Sequence, residues 1–340
     1  MSALDRVTSW PVPHSVAAIV RSSDGSPPTT YSTIGDTGRS FRLASLTKTV
    51  TGLTALIACE EGSLRLDDVV DPVICSASLH EGTTLRHLLA HASGLPFDGA
   101  SPIAALGRRR IYSNTGIEMV AELITASTGI AFDDYLNEAV IEPLGMTSTE
   151  LRGSPAFGMW STIDDMALLL SEYLQPSLIS LETHADFITE QFVGIAGTIP
   201  GLGRFDPCPW GLGVELRGTK DPHWTGRQNA PSTFGHFGGA GTMMWVDPSI
   251  RTGLVALSPT VHSTNGANKP FLCGRDFPTP RSKKSMRLRL RHDDHRTDHV
   301  SLRRSHLLEV ERRRRPSSSQ IRVCEWPTAQ QRSSRRHVRW

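Results

Sequence analysis

Phe41-Arg-Leu-Ala-Ser-Leu-Thr-Lys-Thr-Val50 is the stretch on which the reading of this chain turns. Within it Ser45 and Lys48 stand three residues apart at the start of a long helix. Leu46, Val50, Leu53, Leu56 and Ile57 recur at helical spacing, and Gly62 marks a stop. Positions i and i+3 share a helix face, so an amine can lie beside a hydroxyl. A serine hydroxyl becomes a nucleophile when a nearby base takes its proton. Lysine can be that base once burial lowers its pKa, whereas arginine stays protonated. Residues 1–274 hold three lysines (Lys48, Lys220, Lys269) against fourteen arginines, so a lysine at this place stands out. The pair is also the only S-x-x-K in the chain. The start of a buried helix suits a nucleophile, because its amides and dipole favour developing negative charge.

Outward from this stretch, the chain of 340 residues is long enough for one large domain or two smaller ones. Its net charge of +2 hides an uneven split. Residues 275–340 carry nineteen basic against seven acidic residues, a net of +12, and residues 1–274 carry seventeen against twenty-seven, a net of −10. The five cysteines (Cys59, Cys75, Cys208, Cys273, Cys324) form no C-x-x-C pair and no metal-ligand spacing with histidine, which fits a reducing compartment. Neither a metal nor a cofactor is expected. The run Val16-Ala-Ala-Ile-Val20 is too short for a signal-peptide core, and no stretch reaches membrane-spanning length. A cytoplasmic protein acting on a small molecule is the expectation.

Taken in order, 3–9 reads as a short helix, and His14–Arg21 and Tyr31–Ile34 as a hairpin around a Ser/Gly/Pro turn. Thr83–Pro96 reads as a helix closed by Gly94, with His87 and His91 on it as structural residues. Residues 133–140, 162–174 and 181–191 read as further helices. Residues 194–232, rich in Gly, Pro and aromatics, read as an irregular pocket wall, with Trp210 and Trp224 as pocket or core, core being preferred.

Two later stretches carry chemistry. In Arg108-Arg-Arg-Ile-Tyr-Ser-Asn-Thr-Gly116, Tyr112 and Asn114 alternate, so an extended backbone points both to one side, just before a helix ending at Gly129. The carboxamide can hold a substrate carbonyl, and the phenol can relay a proton if a nearby lysine lowers its pKa. The alternative is a helix-capping Asn beside a packed Tyr. In Thr233-Phe-Gly-His-Phe-Gly-Gly-Ala-Gly241, His236-Phe-Gly238 opens a late hairpin that continues through Thr242–Val246 and Gly253–Leu257. Its glycines allow close approach of a backbone or ligand, and the Gly239 N–H can face an oxyanion.

In that order, Ser45-Leu-Thr-Lys48, Tyr112-Ser-Asn114 and His236-Phe-Gly238 resemble the three motifs of the serine β-lactamase and penicillin-binding-protein superfamily. The Y-x-N form points to its class C β-lactamase-like branch, which includes esterases and D-amino-acid peptidases. Leu88-Leu-Ala-His-Ala-Ser-Gly-Leu95 is similar to a further segment of that branch. Over residues 10–258 the resemblance implies an α/β (α+β) fold: an antiparallel sheet from about 14–34 and 236–257, flanked by helices, with a helical region at about 62–232 inserted. It further implies Ser45 as the acylated nucleophile and Lys48 as base with Tyr112 sharing proton transfer. Asn114, His236 and Gly238 would bind substrate, and the N–H groups of Ser45 and Gly239 would form the oxyanion hole. Where typical β-lactamases and peptidases have K-T-G, this chain has His236-Phe-Gly238. Loss of the fixed cation weakens recognition of the carboxylate that β-lactams and D-Ala-D-Ala peptides share. An ester or amide hydrolase is therefore preferred to a β-lactamase or D-alanyl-D-alanine carboxypeptidase.

Residues 259–340 break the pattern. Arg281-Ser-Lys-Lys-Ser and Glu311-Arg-Arg-Arg-Arg-Pro-Ser-Ser-Ser-Gln320 show no apolar periodicity, which reads as a basic, low-complexity, disordered tail or a shifted reading frame. The charge alone would suit nucleic acid, yet no aromatic interleaving or known module supports that partner.

Overall fold

The computed structural model describes Leu4, Val7, Val12, residues 14–23 and residues 26–259. The helix read at 3–9 therefore falls mostly outside the described residues, as does the basic stretch from 260 onward.

Val16-Ala-Ala-Ile-Val20 forms strand β1 (Val16–Ser23), and its period of two divides the molecule. Val16, Ala18 and Val20 face a large hydrophobic cluster built with the helices. Ala17 and Ile19 face a second cluster with Leu4, Val7, Val12 and Trp245. A strand buried on both faces is a continuous apolar run, which is what the sequence shows. β2 (Ser26–Ile34) pairs antiparallel with it, so the two strands extend further into the turn than the sequence suggests. Pro27 and Pro28 are tolerated because β2 is an edge strand.

The rest of the main sheet comes from the far end of the chain: β9 (Glu215–Leu216), β10 (Phe234–Gly238), β11 (Thr242–Asp247) and β12 (Thr252–Leu257), in the order β2-β1-β12-β11-β10-β9. All its pairings are antiparallel. This is a mixed α/β fold with the antiparallel sheet that the sequence implies.

Between the two sets of strands lie the helices. α1 (Thr47–Glu60) is buried from Thr47 to Ala58. α2 (Leu85–Leu89) is much shorter than the helix read over 83–96, because the chain turns at His91, whose φ is 55°. α3 (Asn114–Thr128) starts on a Ser113 cap and stops at left-handed Gly129. α4 (Phe132–Leu136) passes through one wide turn, Asn137–Ile141, into α5 (Glu142–Leu144). α6 (Ile163–Leu174), capped by Thr162, packs on β1 and β12, and α7 (Leu181–Phe187) follows. Two small sheets brace this region. One is formed by β3 (Phe41–Arg42), β6 (Met159–Ser161) and β5 (Glu150–Leu151), the other by β4 (Arg110–Ile111), β7 (Gly197–Ile199) and β8 (Gly203–Phe205). The stretch read as irregular over 194–232 thus holds three short strands. No helix among the described residues is long and apolar enough to cross a membrane.

Candidate active site

Ser45 sits in a 3-10 turn, Ala44–Leu46, one residue ahead of α1 rather than inside it. Side chains at i and i+3 eclipse in such a turn, so the pairing with Lys48 survives the correction. The turn is held from two sides. Leu43 N–H donates to the Met159 carbonyl at 2.8 Å. Thr242 Oγ1 donates to the Leu43 carbonyl at 2.7 Å. The end of β10 presses against the same turn: a Cβ on Gly238 would meet the Leu43 carbonyl oxygen at 2.4 Å. The absence of a side chain at Gly238 thus lets β10 approach the turn that carries Ser45. Gly239, exposed and with open space about its Cα, follows directly.

Lys48 is fully buried, and its Nζ has three neighbours. Ser45 Oγ lies at 3.5 Å, Asn114 Oδ1 at 2.6 Å and the Ala156 carbonyl oxygen at 2.9 Å. The last two only accept, so they take two N–H groups of a neutral amine and leave its lone pair for the serine. Burial lowers the Lys48 pKa to about 7, against the smaller opposing pull of Glu118 and Asp98. Ala156 is brought into place by the segment before β6, where Thr51 Oγ1 donates to the Pro155 carbonyl at 2.6 Å.

Tyr112 and Asn114 reach the same spot, as their alternation predicts. The Tyr112 ring lies with its centroid 4.8 Å from Lys48 Nζ, and its side chain lies beside Ser45. Burial pushes its pKa well above the usual phenol value, and the interaction with Ser45 only partly opposes this. The expectation of a lysine-lowered tyrosine is thereby corrected: the phenol stays neutral, and Lys48 is the group tuned near neutrality. Asn114 does not cap α3. Ser113 does, accepting from Gly116 N–H, while Asn114 Nδ2 donates to Asp98 Oδ1 at 3.0 Å. Those two bonds fix which end of the amide faces Lys48.

His236 lies on β10 with its ring 5.6 Å from that of Tyr112. It is buried, its Nδ1–H donates to the Phe237 carbonyl at 2.7 Å, and Nε2 has no partner. Burial, assisted by Lys48, lowers its pKa to about 4, so it is a neutral imidazole at pH 7. Trp210 packs edge-on against His236 and His91, at 5.6 Å and 4.9 Å, which makes it the floor of the site as well as core. His91 receives the Ser113 N–H on Nδ1 at 3.2 Å and packs at a tilt against Tyr112, while His87 completes a capping box with Thr84. Among the described residues no group of three or more His, Cys, Asp or Glu is placed to hold a metal.

Sequence reasoning missed Asp98, the Ala156 carbonyl and a buried ionic group behind β10. There Lys220 Nζ lies 2.7 Å from Glu215 Oε1, His223 Nε2 donates to the same oxygen at 2.8 Å, and Trp224 Nε1 donates to Glu215 Oε2 at 2.7 Å.

Comparisons with known proteins bear on the family of the chain. The sequence profile of the family described as Beta-lactamase matches residues 36–271. A β-lactamase structure from Mycobacterium bovis is 44% identical and superposes with a TM-score of 0.71, over 76% of this chain and 91% of that one. The Beta-lactamase of Escherichia coli (strain K12) is 26% identical over 189 residues, 42% of this chain and 50% of that protein. A penicillin-binding protein of Bacillus subtilis (strain 168) is 29% identical over 137 residues, 33% of this chain and 30% of that protein. The matches thus span between about a third and a half of the length of these two curated relatives.

Proposed function

Because the chain belongs to the Beta-lactamase family, we propose that it is a serine hydrolase that forms an acyl-enzyme on Ser45 and prefers an ester or amide to a β-lactam. Neutral Lys48 takes the Ser45 proton as Oγ attacks the substrate carbonyl. The N–H groups of Ser45 and Gly239 receive the developing oxyanion. Tyr112, a neutral phenol beside Ser45, passes a proton to the leaving group and is reprotonated by the Lys48 ammonium. This leaves Lys48 neutral again to take a proton from the water that attacks the acyl group, and that proton returns to Ser45 Oγ as the acyl bond breaks. Asn114 holds the Lys48 amine and turns it toward the serine.

The observation that carries the ester preference is His236. A buried imidazole, neutral at pH 7, stands where a fixed cation would pair with a substrate carboxylate. The M. bovis β-lactamase, 44% identical, and a D-alanyl-D-alanine carboxypeptidase-like relative of Escherichia coli O157:H7, 24% identical, favour a second reading, β-lactam or D-alanyl peptide hydrolysis. A serine-reactive activity-based probe should label the chain, and Ser45→Ala should abolish labelling. Persistent labelling in that variant overturns the nucleophile. Turnover of p-nitrophenyl acetate without covalent capture of a fluorescent penicillin supports the ester reading, and the reverse pattern supports the second.

A further inference from the structure

The loop between α2 and β4 places Phe97 and Asp98 beside the catalytic group, and neither belongs to the three motifs. Phe97 is 49% exposed, yet its ring stacks on Tyr112 with centroids 5.8 Å apart. Asp98 is exposed and accepts the Asn114 Nδ2–H at 3.0 Å. The loop is tied to the start of α3: Asn114 N–H donates to the Phe97 carbonyl at 2.8 Å, and Gly99 N–H to Thr115 Oγ1 at 3.2 Å. The carboxylate is thus held one residue away from Lys48, through Asn114, with an open aromatic ring next to it.

The charge this adds is negative, whereas the third motif contributes a neutral imidazole. An exposed carboxylate beside an exposed aromatic ring is the chemistry that recognises an ammonium group, by ion pairing and by the ring quadrupole. It repels a carboxylate at the same place. We propose that Phe97 and Asp98 are the specificity-determining pair of the cleft, and that the preferred substrate is an ester or amide bearing an ammonium group. This rests on the serine-hydrolase reading given above and goes further by naming a substrate class.

The test uses three aryl esters of one acyl framework, ending in trimethylammonium, tert-butyl or carboxylate. The readout is the ratio of kcat/KM for the ammonium ester to that for the carboxylate ester. A ratio of about fivefold or more is expected for one partly exposed charge, falling at high salt. Asp98→Asn should bring it close to one, Asp98→Glu should retain it, and Phe97→Ala should lower the preference for trimethylammonium over tert-butyl. Salt dependence in the unmodified chain gives the same information if Asp98→Asn folds poorly. A ratio near or below one in the wild type, or one that Asp98→Asn leaves unchanged, overturns the inference. Ser45→Ala separates this from failure of the parent reading. Ester turnover that survives in that variant defeats the hydrolase assignment, while Ser45-dependent turnover with a flat ratio defeats only the substrate class.

Discussion

At the scale of the residue, Lys48 brings an ionisable nitrogen into a place with no solvent and no hydrogen-bonded carboxylate. Its close partners, an amide oxygen and a peptide carbonyl, stabilise either protonation state without fixing the charged one. Burial therefore dominates, and the amine titrates near 7 instead of 10.5. If the neutral amine is the base, kcat/KM rises with pH through about 7. Glu118, held by Ser154 Oγ at 2.6 Å, is one of the two charges that oppose this lowering. Glu118→Gln removes it, so the acid limb of the pH profile should move down by a few tenths of a unit to one unit. An unmoved limb would show that another group limits the rate. The same shift affects stability. Between about 7 and 10.5 the unfolded chain binds the proton that the folded chain releases, so stability rises with pH over that range. Replacing Lys48 by Met removes this dependence. Its stability relative to wild type should improve by up to about 4 kcal/mol on going from pH 10 to pH 7, measured by urea unfolding.

At the scale of the element, legibility followed how local the determinant is. α3 and α6 carry their own caps, Ser113 and Thr162, and a regular apolar stripe, so the sequence contains them nearly complete. Ser45, Lys48, Tyr112 and Asn114 were visible because each sits at a fixed offset from such an element. The Ala156 carbonyl was not, since a backbone acceptor leaves no trace in residue type. α2 was overread because its apolar spacing continues past the turn at His91, which is set by packing on Tyr112 and by the bond from Ser113. The Glu215 group is a tertiary arrangement of residues on β9 and the loop after it, with no period to read. Burial alone would raise the Glu215 pKa, but Lys220 and His223 together hold its carboxyl well below 4.5. It therefore contributes stability above the ordinary carboxylate range that is lost on acidification. Glu215→Gln leaves the Lys220 ammonium buried without a counter-ion and should cost about 3–5 kcal/mol. Glu215→Gln combined with Lys220→Met should recover at least half of that, read as a double-mutant cycle from urea midpoints. A double variant no better than the single one would show that the charge pair is not the unit.

At the scale of the whole molecule, α1 is the piece on which sheet, helices and site depend together. It carries four threonines, Thr47, Thr49, Thr51 and Thr54, whose hydroxyls bond to carbonyls one turn back, so polar residues lie in its interior without cost to hydrogen bonding. Gly52 is where it touches the loop behind the site: a Cβ there would lie 2.6 Å from the Leu212 carbonyl oxygen and 3.2 Å from the Gly213 Cα. That loop continues into β9 and the Glu215 group, so a side chain at 52 separates the helix bearing Lys48 from the strands bearing His236. Interiors at packing density transmit such a displacement instead of absorbing it. Gly52→Val should therefore lose about 3 kcal/mol or more by urea unfolding and slow labelling by a serine-reactive probe at least tenfold in the folded fraction. Gly62, beyond the other end of α1, is the control. Its φ is 79°, with nothing within 4 Å of an added Cβ, so Gly62→Ala should cost only about 1 kcal/mol and label at the wild-type rate. Equal effects at the two positions would mean that the site does not depend on how closely α1 seats, and that the sheet and helices hold Ser45 without it.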